Sequence, residues 1–272
     1  MENVKEKMKN WYFGVGKSVG IMLVFAALIL SSCGLTPYKI DLRKTGGIYL
    51  IYQMDKNDFT YEDEYEESLE LMAYLIRMRL SGYYTTEVYI NEDNICVEIS
   101  KEQDVDKCKE IIERKTDLYF IRQNDDKGNL NYVEKDGQWE LTKKIDELLI
   151  DGSIPLTYKD VSEAKVGYQQ DYMQNEEVII SLVMTDEGTK KFAEMTQEAY
   201  ENGNASIAIY YGGKIVTAPK VQAVITNGRA VITGYDSFDE AERMASDIRI
   251  GPLPHDIQCI SSEVFERKKL EK

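Results

Sequence analysis

The chain has one histidine, His255, in 272 residues, and four cysteines, Cys33, Cys96, Cys108 and Cys259, none in a C-x-x-C arrangement. A Ser-His-Asp or Cys-His constellation therefore has a single possible base. His255 comes after two prolines in "GPLPHD", where an exposed ring is expected. Three widely spaced thiols after Cys33 suit neither a zinc site nor a disulfide framework. One Cys96–Cys108 bridge stays open beside buried or half-buried free thiols. No glycine-rich loop leads from a strand into a helix as phosphate binding requires, and Gly46-Gly47 and Gly212-Gly213 read as turns.

Basic side chains are also short, 33 against 48 acidic, for a formal net charge of −15. That charge repels phosphate backbones and anionic lipid, which argues against nucleic-acid partners and against charge alone holding the protein to a membrane. With 48 acids, neighbouring carboxylates identify no general acid. The acidic run Glu62, Asp63, Glu64, Glu66, Glu67 and Glu70 lacks the glycine and alternating oxygen ligands of a calcium loop. It reads as a solvated helix start favoured by the dipole. No catalysis, metal, cofactor or small-molecule substrate is expected.

Long apolar runs are scarce too, and after residue 35 none approaches the ~20 residues of a membrane span. The front end is different. Lys5, Lys7, Lys9 and Lys17 precede an uncharged apolar run, Val19 to Leu30, which leads into Ser31, Ser32 and Cys33. This is a basic region, an apolar core of signal-peptide length and a small-residue processing site. "LSSC" resembles the lipobox of bacterial lipoproteins, with cleavage between Ser32 and Cys33 and a lipid on the Cys33 thiol. The alternative is an uncleaved helix over residues 18–38, about 31 Å long at 1.5 Å per residue, although Gly34 and Pro37 interrupt its end. Either anchor leaves the lysines in the cytoplasm and the body outside the cell membrane.

The chain beyond Cys33 is patterned for folding. "GGIYLIYQM" alternates as a strand, and "YEDEYEESLELMAYLIRMRLSG" is helical, with Tyr65, Leu69, Met72, Ala73, Ile76 and Leu80 at three- and four-residue spacings and Gly82 at the C-cap. "TTEVYI" and "NICVEIS" are strands, "DVDKCKEIIERK" a helix and "TDLYFIRQ" a strand. The order β-α-β-β-α-β is that of a ferredoxin-like unit. Residues 123–160 are polar and less regular, with a loop at "NDDKGN" and a helical turn or two in "LTKKIDELLIDG".

A second block begins with a strand "VIISLVM" and a helix "TDEGTKKFAEMTQEAYENG". Thr185 is the expected N-cap of that helix, and Phe192, Met195 and Ala199 its buried stripe. Strands "ASIAIYY", "KIVTA" and "AVITG" and a helix "SFDEAERMASDIRIG" complete the block. Without a βαβα repeat the fold class is α+β.

Several stretches resemble the SecD family, membrane subunits that assist export through the bacterial Sec translocon. "DLRKTGGIYLIY" is similar to the family's D-L-K-G-G motif and strand, "LTYKDVSEAKV" to L-T-G-x-D-x-x-x-A, and "LVMTDEGTKKFAEMT" to L-x-x-E-G-x-x-x-F. The run Ile207–Pro254 matches the A-P, G-x-A-x-I-x-G, E-A and R-x-G-A-L-P elements in order. Lys44 and Thr45 lengthen the first motif, Tyr158 replaces a glycine, Gly212 stands near an aspartate position and Pro252 replaces an alanine.

The resemblance covers residues 41–266 and implies the first extracytoplasmic domain, a ferredoxin-like base with an inserted α+β head. The expected layout is a signal peptide or anchor at 1–32, a tether at 33–40, base at 41–155, head at 156–235, a closing base helix and strand at 236–266, and a charged tail at 267–272. The sequence stops at Lys272, before the membrane helices with which the family couples protons, so that step is not expected here.

The resemblance further implies binding of translocating polypeptide or Sec translocon components. The alternative is a lipoprotein interaction module that uses the fold for a partner unrelated to export. Of 19 tyrosines, Tyr168, Tyr172, Tyr210 and Tyr211 fall in the implied head. Tyrosine offers large contact area with a polar tip, which suits a loose grip on extended chains, beside the plainer role of packing on sheet faces.

Overall fold

The computed structural model describes residues 40–170 and 175–267. The processing site at Ser32 and Cys33, Tyr172 and the last five residues lie outside the described residues.

A first core is built where apolar residues alternate along strands. One helical turn, α1 (Leu42–Thr45), leads into β1 (Gly47–Gln53). Next come α2 (Glu62–Ser81), β2 (Thr86–Asn91), β3 (Asn94–Ser100) and α3 (Val105–Glu113). Ile48, Leu50 and Tyr52 of β1 and Ile95, Val97 and Ile99 of β3 all point to one face and are fully buried. Tyr65, Leu69, Met72, Ala73, Ile76 and Leu80 of α2 cover that face, with Cys108, Ile111 and Ile112 of α3 beside them. Each large side chain so buried contributes roughly 1.5–3 kcal/mol. Asp104 caps α3 by accepting from Lys107 N.

The strand order of this antiparallel sheet is β13-β1-β3-β2, with β13 (Gln258–Phe265) at the edge. Leu118–Arg122, read from the sequence as the closing strand of this unit, is not in the sheet. It is β4 of a second body, and its place is taken by a strand from the far end of the chain.

The second body contains β7 (Leu156–Thr157), β8 (Val161–Gln170), β9 (Glu176–Met184), α5 (Asp186–Glu201), β10 (Ile207–Tyr211), β11 (Lys214–Thr217), β12 (Arg229–Ile232) and α6 (Phe238–Ile250). Its sheets run β11-β10-β4-β7 and β12-β9-β8. Between them lies a core that includes Phe120, Ile180, Leu182, Phe192, Met195, Ile209, Ala245 and Ile248. The other face of the four-stranded sheet is covered as well. There Ile121 of β4 and Ala208 of β10 meet Tyr132, Leu148 and Ile154, carried by the hairpin β5 (Tyr132–Lys135) and β6 (Gln138–Leu141), by α4 (Ile145–Ile150) and by the loop after it.

That hairpin lies in the stretch 123–160, which reads from the sequence as polar and less regular. It forms because Asp136 and Gly137, at φ 52° and 77°, supply the left-handed pair that a two-residue turn requires. The whole is α+β, as expected.

Candidate functional site

The candidate tyrosines lie on strands that alternate in and out, so each faces the surroundings its parity dictates. Tyr210 and Tyr211 are successive residues of β10 and point to opposite faces. Tyr210 packs on the hairpin side, its ring stacked on Tyr119 across the strand pair at 5.9 Å. Burial, then Asp117, raises its phenol above the ordinary value. Tyr211 faces the second core and donates its hydroxyl to Asp247 Oδ2 at 2.6 Å. Burial, then Asp247, pushes that phenol far up.

Tyr168 is different. It shares its face of β8 with Ala164 and Val166, which are paired to Leu182 and Ile180, but it lies beyond the core, opposite Val178. It is 58% exposed and stacks at 5.9 Å on Phe238, itself 42% exposed at the start of α6. β8 is the edge of its sheet, paired with β9 alone. Arg249 occupies part of the edge by donating from Nη1 to Ala164 O at 2.6 Å. The structure thus brings Tyr168 together with Phe238, which sequence reasoning missed, and separates it from Tyr210 and Tyr211.

Asp247 is the centre of a buried polar cluster that the sequence does not announce. It is 2% exposed and accepts from Arg114 Nη2 on Oδ1 at 2.6 Å as well as from Tyr211. Arg79, also 2% exposed, donates to Ile112 O at 2.6 Å, Arg114 O at 3.0 Å, Thr116 Oγ1 at 3.0 Å and Gly251 O at 3.3 Å. Burial lowers its pKa, against the pull of Asp247 and with the push of Arg114. A buried cation is tolerable only with such partners.

His255, expected to be exposed, is half-buried against Phe59, ring centroids 4.8 Å apart. Burial holds its pKa below the usual value, while Glu64, Asp58 and Asp256 pull the other way. A shallow cleft nearby is lined by Asp55, Lys56, Asp58 and Asp256, and His255 is not among its lining residues. Glu62, Asp63 and Glu64 occupy the first turn of α2. Among the described residues no group of three or more His, Cys, Asp or Glu side chains could hold a metal ion. Cys96, Cys108 and Cys259 are free, which closes the possibility of a Cys96–Cys108 bridge. Burial, then Glu102, pushes the Cys108 thiol up to about 11, so it is a poor nucleophile. Among the described residues no helix is long and apolar enough to cross a membrane.

Residues 133–255 match the family model described as SecDF, P1 head subdomain. The span takes in the hairpin from its second residue, α4, α5, α6 and the second core apart from Leu118 and Phe120 of β4. Among curated relatives, the protein translocase subunit SecD of Acidaminococcus fermentans is 26% identical over 247 residues, 90% of this chain and 50% of that protein. SecD of Dictyoglomus turgidum is 26% identical over 97% of this chain and 56% of the relative. The chain spans about half the length of these relatives. The fold is similar to the crystal structure of SecDF in its super-membrane-facing form, with a TM-score of 0.59 and 22% identity over 91% of this chain and 35% of that one. Head match, relatives along nearly the whole chain and shared architecture together support a SecD-family extracytoplasmic domain over the described residues.

Proposed function

We propose that the protein assists protein export at the outer face of the cell membrane, non-enzymatically, by contacting translocating polypeptide or components of the Sec translocon. The observation that carries the proposal is the match of residues 133–255 to the SecDF head. The second body is taken as that head and the first core as its base. The SecD relatives are translocase subunits by name, which supports both the export role and membrane association. Attachment runs through a lipid on Cys33 or through an N-terminal helix.

On this reading the contact surface is the Tyr168–Phe238 stack beside the edge of β8, which Arg249 occupies in part at Ala164. Two adjacent aromatic rings offer apolar area without a shaped pocket, and the strand edge offers backbone hydrogen bonds that any extended chain can make. Such a surface grips by backbone and bulk, which suits substrates that differ in sequence. Tyr211 contributes through its hold on Asp247, and Tyr210 by packing on Tyr119.

The test is secretion in the host cell. A Tyr168→Ala/Phe238→Ala protein, present at wild-type level, is expected to slow the appearance of secreted proteins as deletion of the protein does. Secretion unchanged both in that strain and in the deletion strain would reject the export role. A defect in the deletion strain alone would reject this surface. A partner unrelated to export is the outcome in which the protein is captured with one constant companion and secretion is normal.

A further inference from the structure

The backbone of β8 can be read residue by residue along its outer edge. Ala164 turns its carbonyl outward to accept from Arg249 Nη1 at 2.6 Å. From Glu163 onward β8 and β9 pair without interruption, and in an antiparallel pair the N–H and C=O of alternate residues point away from the partner strand. Val166, Tyr168 and Gln170 therefore present both groups to the outside, and Arg249 marks where that unpaired stretch stops. The side of α6 that looks over this edge carries Phe238, Glu242 and Arg249, which recur at helical spacing. Arg249 Nη2 donates to Glu242 Oε1 at 2.6 Å. A strand laid against β8 would thus turn every second side chain toward α6, and the one opposite Tyr168 would meet the Phe238 ring.

Charge chooses the occupant. Asp239 follows Phe238 in the exposed first turn of α6, with Glu240 next to it. Glu176, paired with Gln170, lies on Tyr168's face of the sheet just beyond Val178, and Glu177 is its neighbour. Among the described residues, only Glu242 of this set is engaged in an ion pair. The cations on β8, β9 and α6 are Lys165, held by Glu163, Arg249, held by Glu242, and Arg243. We infer that the Tyr168–Phe238 surface selects extended segments in which an apolar residue is flanked, two positions to either side, by lysine or arginine. That spacing puts the apolar group and both cations on one face of the added strand. The apolar residue covers Phe238, and the cations reach Glu242 at one end and Asp239 with Glu176 at the other. An acidic segment sets carboxylate against carboxylate and is rejected.

The inference rests on the export reading of this surface and adds the class of polypeptide it takes. It is tested on the full chain in nanodiscs of zwitterionic lipid, which have no net charge to attract a basic peptide. The probes are three fluorescent peptides with one central leucine in a serine and threonine strand, carrying lysine, glutamine or glutamate two residues to either side of it. Fluorescence anisotropy is expected to rank them in that order, with the lysine peptide about fivefold tighter than the glutamine peptide, the gain from two exposed ion pairs. About 0.5 M salt should close that gap. Glu176→Gln/Asp239→Asn, changed at two exposed positions, is expected to bring the lysine and glutamine peptides within about twofold of each other, and Tyr168→Ala/Phe238→Ala to lose all three. Equal binding of the lysine and glutamine peptides to the wild type, or a lysine preference untouched by Glu176→Gln/Asp239→Asn, would overturn the charge selection and leave the contact surface standing. Binding of no peptide would overturn the surface and the selection together.

Discussion

Replacing Gly188 by alanine should destabilise the protein, although alanine is the better helix former by about 1 kcal/mol. Gly188 is the third residue of α5, where its N–H donates to the N-cap Thr185 Oγ1 at 2.9 Å. A Cβ built there would lie 2.3 Å from Asp160 O and 3.0 Å from Asp160 Cβ. The obstacle is backbone and cannot swing away. Asp160 is also tied on three sides. Its carbonyl accepts from Thr185 N at 2.8 Å, and its carboxylate from Thr157 N at 2.9 Å and Lys191 Nζ at 2.8 Å. Forcing an extra carbon into a close-packed site costs about 1–3 kcal/mol. Loosening the Thr185–Asp160 bond costs about 1 kcal/mol more. Against the propensity gain, the net loss is about 2 kcal/mol, which lowers Tm by roughly 4–8 °C in a domain of this size. Thermal unfolding followed by circular dichroism reads it directly. A Tm equal to or above that of wild type would show that helix propensity outweighs the contact and would refute the reasoning.

Two further outcomes are expected. Because burial depresses the folded pKa of His255 below the 6.5 of the free side chain, the unfolded chain takes up a proton first as pH falls. Stability from this site is thus full above pH 6.5 and declines below it. His255→Gln should flatten the fall of Tm between pH 6.5 and 5, and an unaltered slope would remove His255 as its source. At the front of the chain, Cys33→Ala should abolish fatty-acid labelling and leave an uncleaved precursor if the lipid is the anchor. A protein that is never labelled yet stays in the membrane fraction points to the helix.

The elements legible in the sequence are those whose pattern is local. The stripe of α2 from Tyr65 to Leu80 is buried throughout, and Thr185 caps α5 over the buried Phe192, Met195 and Ala199 as expected. Gly82 stands at the C-cap of α2 but with φ −78°, so its position is right while no left-handed turn demands it. What escaped was long-range or polar. The pairing of Leu118–Arg122 is decided by strands from Leu156 to Tyr211, and no nearby residue reports it. The closing strand expected within 236–266 came from the family resemblance and not from its own pattern, because β13, an edge strand with one face in water, shows Ser261, Ser262 and Glu263 and needs little apolar sequence. Val161–Gln170 is disguised similarly, with only Ala164 of its ten residues buried. The Arg79–Asp247 cluster joins residues far apart in sequence, each ordinary in its own helix. Tyr168 was legible as a candidate from its residue type and place, but its partner Phe238 was not, since only the fold brings α6 beside β8.

The most direct test of the account is photo-crosslinking in living cells from Tyr168, with Tyr61 of the first body, 66% exposed, as the matched control. Adducts to nascent secreted proteins or translocon subunits from Tyr168, and few from Tyr61, are the expected result. No adducts from Tyr168, or the same adducts from both positions, would contradict the claim that this face of the domain meets exported polypeptide.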